Sequence, residues 1–462
     1  MSEFIAWASN AIYQWYALPL LLVTCGLYLT IRTGFVQIRG FVAGMRRVVS
    51  GMSHDQKGAE GEITPFQALS TALASTVGNG NIGGVATAIL IGGPGAIFWM
   101  WVTAVFGMAT KYSEAVLGVT YRVKKESGAF ASGPMYYIMA GVRHAGLAKV
   151  LAIMFCVFGA ATALLGTGNM AQSNTIVRTF VEAASGFGWE VSPWVPGLII
   201  TVAVGAVLLG GIHRIASVAE KLVPTMLVIY LGMSLTYLLM NFSALPGVFA
   251  TIFEHALSPH AAAGGFLGVS VRQAIAAGIS RGVLSNEAGL GSAPIAHGIA
   301  QVKHPTDQGL VGVFEVFIDT IVVCSMTAFA VLSSGMWMDT AYQNASGDLT
   351  AAAFQMSIPF APVVIAISSF LFGFSTIIGW YYYGETCWEY MFGQKGIFPY
   401  RVIYVALLLI GGLVTVETVW NIGTLLNGFM AFPNLIGMLF LGGVVAKKTN
   451  EYYAAEKGGG SD

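Results

Sequence analysis

The run Ala74-Ser75-Thr76-Val77-Gly78-Asn79-Gly80-Asn81-Ile82-Gly83-Gly84 sets four glycines and two asparagines inside a segment that otherwise reads as a membrane-spanning helix. A continuous helix has no use for them. In hydrocarbon every backbone N–H and C=O needs a partner, so unwound chain at membrane depth persists only where it is buried in protein or lines a cavity. The break therefore predicts a polar binding site within the membrane.

The rest of the sequence supplies the membrane setting. Of 462 residues, 56% are hydrophobic and 10% charged, against about 25% charged in a soluble domain. A span takes roughly 20 apolar residues. On that basis the chain reads as an all-α integral membrane protein of about 11 transmembrane helices, near 14–33, 64–90, 93–120, 148–180, 194–212, 215–241, 264–300, 307–336, 357–391, 398–416 and 419–446. The first lacks a basic leader and a small-residue cleavage site, so it is expected to stay as a span. One transmembrane domain over 1–462 is expected, with no separate soluble domain. The 22 basic and 22 acidic residues balance, so no global field points to nucleic acid. Cys25, Cys156, Cys324 and Cys387 fall singly in apolar runs and read as packing residues rather than a disulfide or zinc framework.

Basic residues orient the chain. Arg32, Arg39, Arg46, Arg47 and Lys57 flank the first loop, and Arg122, Lys124, Lys125, Arg143 and Lys149 the third. Arg214, Lys221, Lys303, Lys395, Arg401, Lys447, Lys448 and Lys457 fall on the same side, whereas 241–263 and 336–357 contain no Lys or Arg. The positive-inside rule then places the N-terminus outside and the C-terminus in the cytoplasm, as a multi-pass protein of the cell membrane.

A second glycine-interrupted helix is expected around Gly278-Ile279-Ser280-Arg281-Gly282. Residues 1–60 would be an extra N-terminal helix and cytoplasmic loop. The remaining helices divide into two sets of five, 61–245 and 262–450, each opening with an interrupted helix, the arrangement expected of an inverted-repeat transporter. Glycines that merely let helices pack closely are the competing reading.

Several letter matches fail on context. Gly78-Asn79-Gly80-Asn81-Ile82-Gly83 fits G-x-G-x-x-G, but no strand precedes it and no Asp or Glu lies between Glu62 and Glu114 to hold a ribose. Gly278 to Gly282 fits G-x-S-x-G without the strand-to-helix turn that a nucleophilic Ser280 needs. No G-x-x-x-x-G-K-[ST] loop or H-E-x-x-H occurs, and the seven histidines form no metal pattern. The chain is thus not expected to be an enzyme or to use ATP directly.

A transport site for a zwitterion needs groups for a carboxylate and for an ammonium. Where the second helix unwinds, the N–H groups of its following half carry the positive end of the helix dipole, so Gly80, Asn81 and Ile82 are candidates to hold the carboxylate. Glycine at 78 and 80 lets a ligand touch the backbone. Carbonyls released near Ala277 and Gly278 can accept from the ammonium. Arg272, Arg281, Glu287, Glu315 and Asp319 lie deep in the seventh and eighth helices. Intramembrane ionisable residues mark functional sites by default, and Arg281 pairing with Glu287 or Asp319 to hold a gate closed is one arrangement they allow.

The segment Gly92-Gly93-Pro94-Gly95-Ala96-Ile97-Phe98-Trp99-Met100-Trp101-Val102-Thr103-Ala104-Val105-Phe106-Gly107 resembles the signature of the alanine or glycine:cation symporter family. Further blocks are similar to the same family: Ser132 to Tyr137, Gly168 to Asn174, Arg281 to Pro294 and Ser375 to Trp380. The resemblance covers nearly the whole chain and is weakest at its ends. It implies the LeuT-like 5+5 inverted repeat with one extra N-terminal helix. It also implies uptake of small neutral amino acids, chiefly alanine and glycine and in some members glutamine, coupled to sodium or occasionally protons.

Carried over residue by residue, the resemblance puts Gln172 against the substrate. It places Thr376 and Trp380, one turn apart on the ninth helix, on the face that meets it, with Trp380 as a wall. Ser75, Gly78, Asn79, Gly80 and Asn81 form the second helix's share of the site, although Asn79 stands where the family often has Thr or a small apolar residue. The sodium site of LeuT-like carriers maps onto the carbonyls of Ala74, Val77 and Phe372 and the hydroxyls of Ser375 and Thr376. A channel for small neutral solutes, with the broken helices as filter, is the reading from another class.

Overall fold

The computed structural model describes residues 17–51, 59–257, 271–342, 346–414 and 416–458. Lys57, the first residues of the expected first and seventh helices and the start of the second repeat at 262 lie outside them.

Helices dominate. In chain order they are α1 (Ala17–Arg32), α2 (Phe41–Gly51), α3 (Pro65–Thr76), α4 (Val85–Gly92) and α5 (Gly95–Thr120), followed after a short β1–β2 hairpin (Val123–Lys124, Phe130–Ala131) by α6 (Pro134–Gly141), α7 (Ala145–Leu165), α8 (Met170–Gly186), α9 (Trp194–Leu208), α10 (Gly211–Met240) and α11 (Leu245–Leu257). The second half contains α12 (Val271–Asn286), α13 (Ala293–His297), α14 (Pro305–Val316), α15 (Ser325–Ser334), α16 (Ser346–Gln355), α17 (Ala361–Phe392), α18 (Ile397–Gly411) and α19 (Val416–Gly458). Two π-helical segments, Gly80–Gly84 and Phe317–Cys324, run directly into α4 and out of α14. Among the described residues, five helical stretches are long and apolar enough to cross a membrane: Ala145–Gly186, Gly211–Met240, Pro305–Ser334, Ala361–Phe392 and Val419–Glu456.

The first break lies where the glycines place it. A capping box starts α3: Thr64 Oγ1 accepts from Gln67 N at 3.1 Å, Gln67 Oε1 accepts from Thr64 N at 3.2 Å, and Pro65 occupies the first helical position. The helix stops at Thr76 because Val77 turns extended (φ −78°, ψ 94°) and Gly78 N–H turns to Asn81 Oδ1 at 2.9 Å.

The second break is not at Gly278–Gly282. Helix α12 runs continuously through both glycines, whose role is packing. A Cβ at Gly278 would fall on Ala96 O and stand 2.6 Å from Trp99 Cβ, and one at Gly282 would touch Thr103 Cβ at 3.4 Å, so these positions let α12 lie against α5. The chain breaks after Asn286 instead. Glu287, Gly289 and Gly291 have φ of 56°, 91° and 85°, values that L-residues avoid and glycine tolerates. The expected helix over 148–180 is likewise interrupted, at Gly166 to Asn169 between α7 and α8.

Helix α5 is the central strut, packed on α12, α14 and α1. Its Lys111, fully buried, reaches Glu315 Oε1 of α14 at 2.9 Å. Glu315 Oε2 lies 2.9 Å from His297 Nε2 of α13, and Gln308 Nε2 is 2.6 Å from His297 Nδ1. Breaking a buried ion pair on one side costs about 3–5 kcal/mol, because the other charge is stranded. Lys111→Met is therefore expected to lower the thermal unfolding midpoint in detergent sharply, and adding Glu315→Leu to recover much of the loss. Scanning fluorimetry of the single and double variants checks this.

Candidate functional site

Five parts of the chain meet at the first break. From α3 and its restart come Ser75, Thr76, Gly78, Gly80 and Gly84. From α12 and the break after it come Arg281, Leu284, Ser285 and Glu287. Thr167 comes from the α7–α8 interruption and Gln172 from the first turn of α8, Thr376 and Trp380 from α17, and Trp420 from α19. Arg281, Leu284 and Ser285 share one face of α12 by helical spacing. Gly278 and Gly282 lie on the face turned to α5.

Six of the ten substrate candidates line this cavity: Ser75, Gly78, Gly80, Gln172, Thr376 and Trp380. The other four stand behind it. Ala277 packs against Gly92 of α4, where a Cβ would meet Ala277 Cβ at 2.6 Å, and Gly278 packs on α5. Neither carbonyl is released, since α12 is intact there. Asn79 Nδ2 donates to Gln172 Oε1 at 3.1 Å, while Asn79 Oδ1 accepts from Ser369 Oγ at 2.7 Å. Gln172 Nε2 donates to Thr167 O at 3.1 Å. The carbonyl end of Gln172 is thus occupied, and its remaining N–H makes the residue a donor toward the cavity.

Asn81 ties the break to the second half of the chain. Its Oδ1 accepts from Gly78 N, and its Nδ2 donates to Asp319 Oδ1 at 2.6 Å and Ser285 Oγ at 3.1 Å. Asp319, in the π segment Phe317–Cys324, also accepts from Ser285 Oγ at 2.8 Å and Thr320 Oγ1 at 2.7 Å. Asn81 and Asp319 are both fully buried.

The five sodium candidates sit at the crossing of α3 and α17. Close approach is enforced there, since a Cβ at Gly78 would stand 2.6 Å from Thr376 Oγ1 and one at Gly379 would fall on Ser75 Oγ. The Gly78–Asn81 bond leaves the Ala74 carbonyl without its donor one turn on, and Val77 lies beyond the last turn of α3. Ser375 Oγ and Thr376 Oγ1 donate to Phe372 O at 2.8 and 3.0 Å. These donations leave the hydroxyl lone pairs for a cation, whereas Phe372 O already accepts two bonds and is the weakest ligand of the set. Neutral oxygens from carbonyls and hydroxyls suit a hard monovalent ion.

The buried charges do not pair as the sequence suggested. Among the described residues no salt bridge joins Arg281 to Glu287 or Asp319. Glu287 instead accepts from Trp380 Nε1 at 2.8 Å and Ser292 Oγ at 2.6 Å, and Glu315 takes Lys111 and His297. Sequence reasoning missed Lys111, and it missed Thr76, Gly84, Thr167, Leu284, Ser285 and Trp420 in the lining. The i, i+3, i+4 spacing of Arg281, Leu284 and Ser285 was the available signal.

A bundle of apolar helices, interrupted where they enclose a small buried cavity of neutral donors and acceptors, defines a membrane transporter. The chain belongs to the sodium:alanine symporter family, which it matches over residues 1–462. It is 45% identical over 443 residues to the sodium/alanine symporter AgcS of Methanococcus maripaludis, covering 96% of this chain and 95% of that one. It is 36% identical over 460 residues to the probable sodium/glutamine symporter GlnT of Bacillus subtilis, covering 99% and 92%. Among solved structures, MhsT in complex with L-phenylalanine superposes with a TM-score of 0.58 at 14% identity, over 85% of this chain and 99% of that one, which establishes a shared LeuT-like transporter fold. Family and relatives are transporters, not enzymes.

Proposed function

We propose that this protein couples the entry of sodium to the uptake of a small neutral amino acid, alanine or glycine, by alternating access. The family is one of sodium-coupled amino-acid symport, and the size of the substrate follows from one observation. Trp380, 1% exposed, forms a wall that cannot retreat, because Gly168 lies against it so closely that a Cβ there would stand 2.6 Å from both Trp380 Cβ and Cγ. This favours alanine over glutamine, the substrate named for GlnT. Gln172 and the N–H of Gly80, where the helix restarts, face the carboxylate, whereas the Asn81 N–H is already donated to Gly78 O at 3.0 Å. Ala74, Val77, Phe372, Ser375 and Thr376 hold the ion. The chain divides into two five-helix repeats over 61–245 and 262–450, each with a broken helix early in it, and the protein lies in the cell membrane with its N-terminus outside.

A zwitterion carries no net charge, so the membrane potential acts on the ion alone. One charge across 100 mV is worth about 2.3 kcal/mol, which at about 1.4 kcal/mol per tenfold ratio supports roughly 40-fold accumulation before any sodium gradient is added.

The test is uptake of labelled alanine into proteoliposomes under an inward sodium gradient, with choline replacing sodium in a parallel set. Accumulation above equilibrium that needs sodium is the expected result. Equal, non-accumulating flux in both sets would instead indicate a channel or uniporter, and a proton gradient driving uptake without sodium would reassign the ion. Ser375→Ala is expected to raise the sodium concentration for half-maximal uptake about tenfold, as for loss of about 1.4 kcal/mol of ion binding, with little change in alanine KM at saturating sodium. A sodium titration of uptake checks this.

A further inference from the structure

Glu287 occupies a conformation that its side chain disfavours. Of the described residues, only Phe35 and Glu287 are non-glycine with positive φ, and Glu287 stands at 56°. The same break uses glycine at 289 and 291, where φ is 91° and 85°. Glycine would relieve the backbone at 287 too, so what the position retains is the carboxylate. Strained backbone kept at a cavity is a mark of function.

That carboxylate is buried, 4% exposed, lines the cavity, and is held by neutral donors alone, Trp380 Nε1 at 2.8 Å and Ser292 Oγ at 2.6 Å. It enters no salt bridge among the described residues. Each oxygen has spent one bond of the roughly four that a carboxylate accepts. The cation that acts on it electrostatically, Lys111, is bonded instead to Glu315 at 2.9 Å, and a buried carboxylate left without a bonded cation is costly.

We propose that Glu287 receives the α-ammonium of the substrate, and so is the residue that makes a primary amine obligatory. This rests on the amino-acid reading above and completes it: Gln172 Nε2 donates to one end of the zwitterion and Glu287 accepts from the other. Because Trp380 is held by the same carboxylate, the group that recognises the amine also fixes the wall that limits the side chain.

The test is Glu287→Gln, which keeps an acceptor for Trp380 Nε1 and removes the charge. At saturating sodium the variant is expected to raise alanine KM at least tenfold, leave the sodium half-saturation within twofold, and lose its preference for alanine over the amine-free analogue lactate in competition. Glu287→Asp, which keeps the charge, is expected to retain that preference. An unchanged alanine KM in Glu287→Gln overturns the assignment, and so does a tenfold shift in sodium half-saturation with alanine affinity intact, which would make the residue an ion ligand. Should Glu287→Gln not fold, the wild type decides: lactate competing as well as alanine overturns the proposal. Wild-type uptake is run in parallel, so that absence of sodium-driven alanine transport is read as failure of the proposed function and not of this assignment.

Discussion

Gly78→Ala is expected to abolish sodium-driven uptake, lowering kcat/KM for alanine by at least 100-fold, while the protein still elutes as a folded species. The added Cβ would stand 2.6 Å from Thr376 Oγ1, well inside van der Waals contact, and 3.5 Å from Gln172 Nε2. Thr376 has no free rotation to offer, since its hydroxyl is bonded to Phe372 O at 3.0 Å. The methyl therefore pries α3 from α17 at the crossing that carries both the ion candidates and the substrate wall. A misplacement of this size near a binding constellation costs far more function than stability. Gly80→Ala provides the contrast. Nothing lies within 4 Å of a Cβ at that position, so the variant should fold and transport, with alanine KM raised by a smaller factor as the methyl occupies cavity space. Parallel initial-rate measurements on the two variants decide between a steric role specific to 78 and a general intolerance of side chains in the break.

Asn81→Ala carries the second large effect. It strips Gly78 N–H of its acceptor and Asp319 of its 2.6 Å donor, and leaves Ser285 Oγ without the amide. A hydrogen bond to a charged group contributes about 1.5–3 kcal/mol, and an unsatisfied buried partner adds its desolvation cost. The expected outcome is loss of accumulation together with a lower unfolding midpoint, because Asn81 both shapes the break and joins the two halves of the chain. Uptake lost with an unchanged midpoint would place the residue at the ligand rather than behind it.

Much of this was legible in the sequence, for reasons that differ from residue to residue. The first break was visible because Gly78, Asn79, Gly80 and Asn81 together have no place in an apolar helix. The second was misplaced by about two turns because Gly278 and Gly282 look the same on paper as Gly289 and Gly291. What separates them is tertiary: the first pair lies on a neighbouring helix, and the second takes positive φ. Gln172, Thr376 and Trp380 entered by resemblance to a family, and their convergence on one cavity needed the fold. The interruption at Gly166 to Asn169 was hidden in an otherwise apolar run. Lys111 was overlooked because its partner, Glu315, comes from a helix 204 residues further along the chain.

The π segment Phe317–Cys324 is where periodicity reasoning has least purchase, and it has a consequence for how this chain tolerates change. Asp319 and Thr327 are eight residues apart, yet both reach Asn81, one through the side-chain amide at 2.6 Å and the other by donating to its carbonyl at 2.8 Å. In an α-helix, positions seven apart share a face, and one residue more turns away by about 100°. The wider turn absorbs that surplus residue. A further residue inserted between 319 and 327 would exceed what the wider turn absorbs and swing Asp319 and Thr327 about 100° apart around the helix, away from their shared partner Asn81. Length in this stretch is thus as much a functional character as identity.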